Sequence, residues 1–353
     1  MDILILTFVL IILVGIKPSK DNKDYLGKDT TTVIKGIFAI IILFSHSRQY
    51  LSVSINSTSH VLNQYNYIYN IVLDFLGQLM VVMFLLYSGY GVVESYKKKG
   101  NSYTKGFFKK RVLKTLVHFD IAVLLFLILA FWIGKEYNPR NVILSFTGLT
   151  SIGNSNWFVF DILVLYLLSY IGFVWVKRNG QGLKHYLWLV FSFSCGFLIT
   201  MFILKRGESW WYDTILAYPT GMLWSVYQNR INNFLCSSTK YILTTIATLI
   251  IFIVFYYIGR YYVSVISILT SAIFGCLIIL ITIKCKINNK ILHWLGVNAF
   301  AIYILQRIPM IIASEYGLSH NHILFALFVF PVTLAGAYGF TKFTSLLDNK
   351  FFK

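Results

Sequence analysis

Charge is what this sequence has least of. Of its 353 residues only 12% are Asp, Glu, Lys or Arg, and just 13 are acidic. Soluble domains carry about a quarter charged residues, so a water-soluble globular protein is excluded at the outset. Cysteine is scarce as well. Cys195, Cys236, Cys276 and Cys285 show no CxxC spacing and have no histidine cluster near them. They read as free thiols in or near apolar helices, with no metal site among them. An internal repeat and a low-complexity tract are both missing. The first apolar run, 2–16, has neither a basic flank before it nor a small-residue cleavage site after it. It therefore reads as an anchor that enters with its N-terminus outside, not as a removable signal peptide.

What is present is apolar length. The chain is 57% hydrophobic, with a mean hydropathy of +0.69. Runs of 18 or more apolar residues recur from end to end, each long enough for a bilayer core of roughly 30 Å. The pattern predicts an all-α polytopic membrane protein with membrane lipid as its surroundings. Eleven segments are expected, at about 2–16, 33–50, 68–93, 112–134, 155–176, 184–204, 214–227, 240–259, 261–283, 291–313 and 321–342. The seventh is short and contains Pro219 and Gly221, which points to a broken or re-entrant segment.

A net charge of +18 raises the question of nucleic acid, but its distribution excludes that partner. If 17–35 is cytoplasmic and sides alternate from there, the cytoplasmic stretches hold 24 of the 31 Lys and Arg residues. That is the bias the positive-inside rule requires. It predicts a cell-membrane protein with its N-terminus outside, its C-terminus cytoplasmic, and outer loops of about 20 residues at most.

Against this background a few ionisable residues stand out. In "KGIFAIIILFSHSRQY", Lys35 and His46 are eleven residues apart. On an α-helix that is a rise of about 16 Å and a turn of about 1100°, some 20° past three full turns, so both lie on one face. One reading has Lys35 snorkelling to the interface while His46 bonds a neighbouring helix. The other has a single long ligand lying along the face, its charged end at Lys35 and its reactive end at His46. Downstream, "SGYG" places Ser88, Gly89 and Gly91 at the cytoplasmic end of the third segment. They form either a close-packing face or a narrow passage. Arg111 and Lys114, three apart at a helix start, are placed to clamp phosphates. Asn156 and Trp157 fall at the outer interface, and Asp161 one turn deeper. Asp161 and Asp74 are each candidates to orient or balance His46 or Arg48, with Arg307 a further partner for Asp161. His118 and Asp120 share the inner half of the fourth segment.

These residues carry a family resemblance. The Lys35-to-His46 run resembles the opening signature of the membrane-bound acyltransferase 3 family, where a basic residue, usually Arg, precedes a histidine by eleven positions. "SGYG" at 88–91, "RVLK" at 111–114, "NWFVFDILVLY" at 156–166 and "LGVNAFAIYILQRIPMI" at 296–312 resemble the family's later motifs in the same order. Trp157 and Tyr166 are in place. Lys35 and Lys114 stand where Arg is usual and lose its bidentate fork. The paired glutamates that some relatives carry after the tryptophan are absent, and Asp161, one position earlier, does not inherit their role.

The resemblance implies a ten-helix acyltransferase domain over 33–346, preceded by an additional transmembrane anchor and linker at 1–32 and followed by a cytoplasmic tail at 347–353. It implies transfer of an acyl group, most often acetyl, from cytoplasmic acyl-CoA to a hydroxyl of an extracytoplasmic or lipid-linked glycan. His46 would be catalytic, as base or acyl carrier. Lys35, Arg111, Lys114, Ser88 and Gly89 would hold the acyl-CoA donor, which is a substrate and not a resident cofactor. Asn156, Trp157, Asp161, Asp74 and Tyr166 would serve the acceptor side or support the site. The rival class is a transporter or glycan exporter. Such proteins often carry inverted repeats, and the sequence shows none.

Overall fold

The computed structural model describes residues 1–19, 22–51, 67–263 and 265–352. The expected outer loop 51–67 falls outside the described residues except at its two ends. Thirteen helices dominate what is described. They are α1 (Asp2–Gly15), α2 (Lys28–Leu51), α3 (Tyr67–Lys99), α4 (Asn101–Trp132), α5 (Pro139–Ser145), α6 (Trp157–Arg178), α7 (Leu183–Leu204), α8 (Ala217–Leu235), α9 (Ser238–Tyr261), α10 (Ile266–Lys284), α11 (Lys290–Val297), α12 (Ala299–Glu315) and α13 (His322–Phe351). The chain is an all-α polytopic membrane protein.

All eleven expected segments are helical, but not all are spans by length and composition. Among the described residues eight single helices qualify, and α11 with α12 make a ninth if that bent pair is one span. Helix α1 has only 14 residues, about 21 Å at 1.5 Å per residue, short of a bilayer core of about 30 Å. Helix α8 turns polar in its second half, through Gln228, Asn229, Arg230, Asn232 and Asn233. It is not broken at Pro219, contrary to the expectation from the sequence. Pro219 lies in its first turn, where a missing N–H costs no helical hydrogen bond. The break falls instead between α11 and α12, which meet at 59° around Asn298. Asn298 Nδ2 donates to Trp294 O at 2.9 Å, a carbonyl that also accepts from the Asn298 backbone N–H at 3.2 Å.

Helix α2 is central, with 72% of its apolar window buried, whereas α9 has 11% buried and faces outward with Ile250, Ile253 and Tyr257. Two contacts between helices fix this arrangement. A Cβ on Gly36 would run into Leu292 O, and one on Gly296 into Thr32 O, so α2 and α11 approach backbone to backbone. Gly89 against Tyr218 O and Gly221 against Leu86 O do the same for α3 and α8. In lipid there is no hydrophobic drive between helices, and such small-residue contacts are what holds them.

The basic stretches gather at one end. Strand β1 (Ile16–Pro18) pairs antiparallel with β2 (Cys285–Ile287), Ile16 opposite Ile287. Asn22 Nδ2 donates to Thr282 O at 3.0 Å, Tyr25 OH to Asn232 Oδ1 at 2.7 Å, and Lys97 Nζ to Ser225 O at 2.6 Å. Lys114 Nζ reaches Asp348 Oδ2 at 2.6 Å. At the other end Arg48 and Arg260 both meet Asp74, and Arg307 Nη2 donates to Gln49 Oε1 at 2.8 Å.

Candidate functional site

Helix α2 runs unbroken from Lys28 to Leu51, so the eleven-residue spacing keeps Lys35 and His46 on one face. Along that face lie three consecutive cavities. The outermost at the basic end, about 620 Å³, is lined by Lys23, Lys28 and Lys98. It shares Lys35, Ser88 and Arg111 with the next, of about 340 Å³, which also takes in Lys114, Tyr166 and Tyr303. The third, about 460 Å³, holds His46, Ser155, Asn156, Trp157 and Arg307. Ile42, Val81 and Tyr303 line both the second and the third. The cavities therefore abut in sequence from the basic end to His46.

Local irregularities aim the side chains. In α4 the stretch Phe108–Leu113 is π-helical, an insertion common at functional sites. Lys109 and Lys110 stay exposed while Arg111 turns inward, its Cζ 5.9 Å from the centre of the Tyr166 ring. Lys35 and Arg111 have no acidic partner within ion-pair distance among the described residues, whereas Lys114 is paired with Asp348. His118 Nε2 shares that carboxylate at 3.0 Å. Two unpaired cations inside a membrane bundle are costly, and an anionic group placed between them offsets that cost.

At the other end the sequence reading missed the nearest partner of His46. Gln306 Nε2 lies 2.8 Å from His46 Nδ1, and Ser155 Oγ lies 3.4 Å from it. Gln306 interrupts the regular helix between Leu305 and Arg307, because Pro309 cannot donate to the carbonyl of Leu305 four residues back. A proline three positions after a glutamine, on a helix late in the chain, was the available signal. The Gln306 amide has two orientations with the same heavy-atom positions. One offers N–H to Nδ1, keeps the 3.1 Å bond to Tyr303 O, and leaves Oε1 without a partner. The other offers the carbonyl to Nδ1–H and frees the His46 Nε2 lone pair, at the cost of the bond to Tyr303 O, which the amide oxygen then faces. The second is what general-base chemistry at Nε2 requires. Arg307, weighed from the sequence as a partner for Asp161, lines the same cavity as His46.

Several candidates have other places. Gly89 faces the Tyr218 carbonyl and lines none of the three cavities, so of the two readings of "SGYG" it takes the packing one, while Ser88 lines the passage. Asn156 lines the His46 cavity, and its Nδ2 donates to Gly148 O at 2.8 Å, bracing the loop before α6. Asp161 is fully buried, lines none of these three cavities and has neither oxygen hydrogen-bonded among the described residues. It pairs with none of His46, Arg48 and Arg307. Asp74 is the partner of Arg48 and lines a separate pocket beyond the His46 cavity. The fold thus assembles Lys35, Ser88, Arg111, Lys114 and Tyr166 at one end of the passage. It assembles His46, Asn156 and Trp157 at the other.

Comparison with known families matches residues 31–342 to an acyltransferase domain, the model of the acyltransferase 3 family. No curated protein and no solved structure matches the chain.

Proposed function

Because the chain belongs to the acyltransferase 3 family, we propose that this membrane acyltransferase moves an acetyl group from cytoplasmic acetyl-CoA to a hydroxyl of an extracytoplasmic or lipid-linked glycan. The observation that supports this most is the run of abutting cavities from the lysine-rich mouth, past Lys35 and Arg111, to His46. The nucleotide phosphates of the donor stay among Lys35, Arg111 and Lys114, where charge-assisted bonds hold them. The pantetheine arm is thin and of a length comparable to the roughly 16 Å rise between Lys35 and His46. It passes Ser88 and Tyr303 and brings the thioester to His46.

At His46 the reaction is an acyl exchange. The glycan hydroxyl gives its proton to the imidazole as its oxygen attacks the thioester carbonyl. The carbon–sulfur bond breaks, and the thiolate of CoA takes up the proton from the imidazolium. The products are an acetyl ester and free CoA thiol. With its amide carbonyl toward Nδ1–H, Gln306 holds the tautomer that leaves Nε2 basic. The positive charge of Arg307 in the same cavity favours the oxyanion that develops at the carbonyl. Direct transfer with His46 as base is the simplest route; a covalent acetyl-imidazole uses the same contacts in two steps.

The test is the purified full chain in detergent, given acetyl-CoA labelled in the acetyl group and de-O-acetylated glycan from the producing cells. Label in the glycan, with CoA thiol released in proportion, supports the proposal. Counterflow of a solute without consumption of acetyl-CoA would replace it with the transporter reading.

A further inference from the structure

The outermost cavity, about 620 Å³, has one wall that the family match does not include. The match begins at residue 31, and Lys23, Asp24 and Lys28 line the cavity from the stretch before it. That stretch, 22–28, is polar, and fixing it costs conformational entropy. It is nevertheless tied down. Ser19 N donates to Lys284 O at 2.8 Å, just past the β1–β2 pairing. Asn22 Nδ2 donates to Thr282 O at 3.0 Å and to Cys285 O at 3.2 Å. Tyr25 OH donates to Asn232 Oδ1 at 2.7 Å and accepts from Trp224 Nε1 at 3.3 Å. Asn22 is 1% exposed and Tyr25 3%, while Lys23 and Lys28 stay open to solvent. The bonds that fix this stretch thus hold two lysines at the rim of the passage to His46.

Five cations line this cavity, Lys23, Lys28, Lys35, Lys98 and Arg111, against the two carboxylates of Asp24 and Glu94. Glu94 is taken up by Lys97 Nζ and Ser225 Oγ, both at 2.7 Å, and Asp24 lies folded over Gly27. None of the five cations has an ion-pair partner among the described residues. Positive-inside topology accounts for lysines on this side of the membrane. It does not require them to line a concavity continuous with the passage to His46. Length then assigns the parts of a donor lying in that passage. A pantetheine arm that starts at His46 ends near Lys35 and Arg111, a rise of about 16 Å along α2, so the diphosphate falls there. The ribose and what it carries fall beyond, in the outermost cavity, where Lys23, Lys28 and Lys98 remain to be matched.

We infer that Lys23, Lys28 and Lys98 form a subsite for the 3′-phosphate of the acyl-CoA donor, and that the segment before the family domain holds two of these three lysines in place. The inference rests on the proposed function for the identity of the donor. A phosphate monoester carries nearly two negative charges at neutral pH, and ammonium groups bind it by charge-assisted bonds. The diphosphate at Lys35 and Arg111 is common to CoA and dephospho-CoA, so those residues do not tell the two apart. The three lysines of the outer cavity do. The enzyme therefore selects thioesters of CoA over those of dephospho-CoA.

The test is calorimetric titration of the full chain in detergent with CoA and with dephospho-CoA, which differ only in the 3′-phosphate and need no acceptor. Exposed ion pairs are weak one at a time, so Lys23→Met, Lys28→Met and Lys98→Met are combined in one chain. Wild type should bind CoA at least about tenfold more tightly than dephospho-CoA, and the combined variant should bind the two within about twofold of each other. Its affinity for dephospho-CoA should stay near that of wild type, which reports that it is folded. Lys177→Met with Lys184→Met removes two exposed lysines that line none of the three cavities, and should keep the wild-type ratio. Asn22→Ala frees the stretch without touching a lysine and should lower the ratio; a wild-type ratio there would remove the role of the segment. Equal binding of the two nucleotides by wild type would overturn the subsite and leave the donor reading in place. So would a combined variant that keeps the preference, as lysines serving only anionic lipid headgroups would. The expected ratios without any acetyl transfer to glycan would leave the subsite standing and remove the proposed reaction.

Discussion

Lys35 and Arg111 allow the strongest test of how the donor is held. Each is a cation with no acidic partner among the described residues, and both line the middle cavity. Lys35→Met and Arg111→Met keep most of the apolar stem and remove only the charge. A hydrogen bond to a charged group is worth about 1.5–3 kcal/mol, and each 1.4 kcal/mol is tenfold in affinity. Each change should therefore raise the apparent KM for acetyl-CoA by about 10 to 150-fold. Phosphate binding far from the thioester is uniform binding, so kcat should move little. Lys114 is different because its ammonium already has Asp348 at 2.6 Å. Its phosphate bond competes with that pair, and Lys114→Met should raise KM by less than either of the others. Asp348→Asn releases Lys114 and should lower KM or leave it unchanged. Lys35→Arg restores the usual family residue and should stay active. Initial rates over a range of acetyl-CoA, at saturating acceptor, give both constants. A KM within twofold of wild type for both Lys35→Met and Arg111→Met would refute the argument that these cations hold the donor phosphates.

Three further outcomes are expected. His46→Ala should lower turnover by at least about 100-fold, the usual scale for loss of a general base, with expression unchanged; Gln306→Glu, which can only accept from Nδ1–H when ionised, should keep more activity than Gln306→Leu, and the reverse order would remove the tautomer argument. Gly89→Val and Gly221→Val each drive a side chain into a backbone carbonyl that has no flexible end to give way, so thermal unfolding in detergent should drop sharply or the protein fail to accumulate, whereas Gly91→Ala, with open space around it, should be tolerated. For sidedness, in a background lacking the four native thiols, cysteine at Lys99 should resist an impermeant thiol reagent in intact cells and cysteine at Glu136 should react; the opposite pattern would put the basic mouth on the wrong side for cytoplasmic acetyl-CoA.

The sequence by itself determined the class of protein, the helices and the family. Those signals are local or cumulative. A run of apolar residues of bilayer length must be helical in lipid, since every backbone polar group has to bond within its own segment, and the Lys and Arg bias needs only counting. Lys35 and His46 were legible because one helix carries both and helical period places them on one face. The ends of α1 and α8 were less so, because length and a polar second half matter more than the apolar centre. What the tertiary structure alone decided was partnership. Asp74 and Asp161 look alike along the chain, yet one meets Arg48 and the other has no hydrogen-bond partner among the described residues. Gly89 and Ser88 are adjacent, yet a helix turns them about 100° apart, one onto α8 and the other into the passage. Gln306 reaches His46 across 260 residues of sequence. Such contacts depend on which helices lie side by side. Close backbone approach at Gly36 and Gly296, and at Gly89 and Gly221, sets that arrangement once the whole bundle has packed.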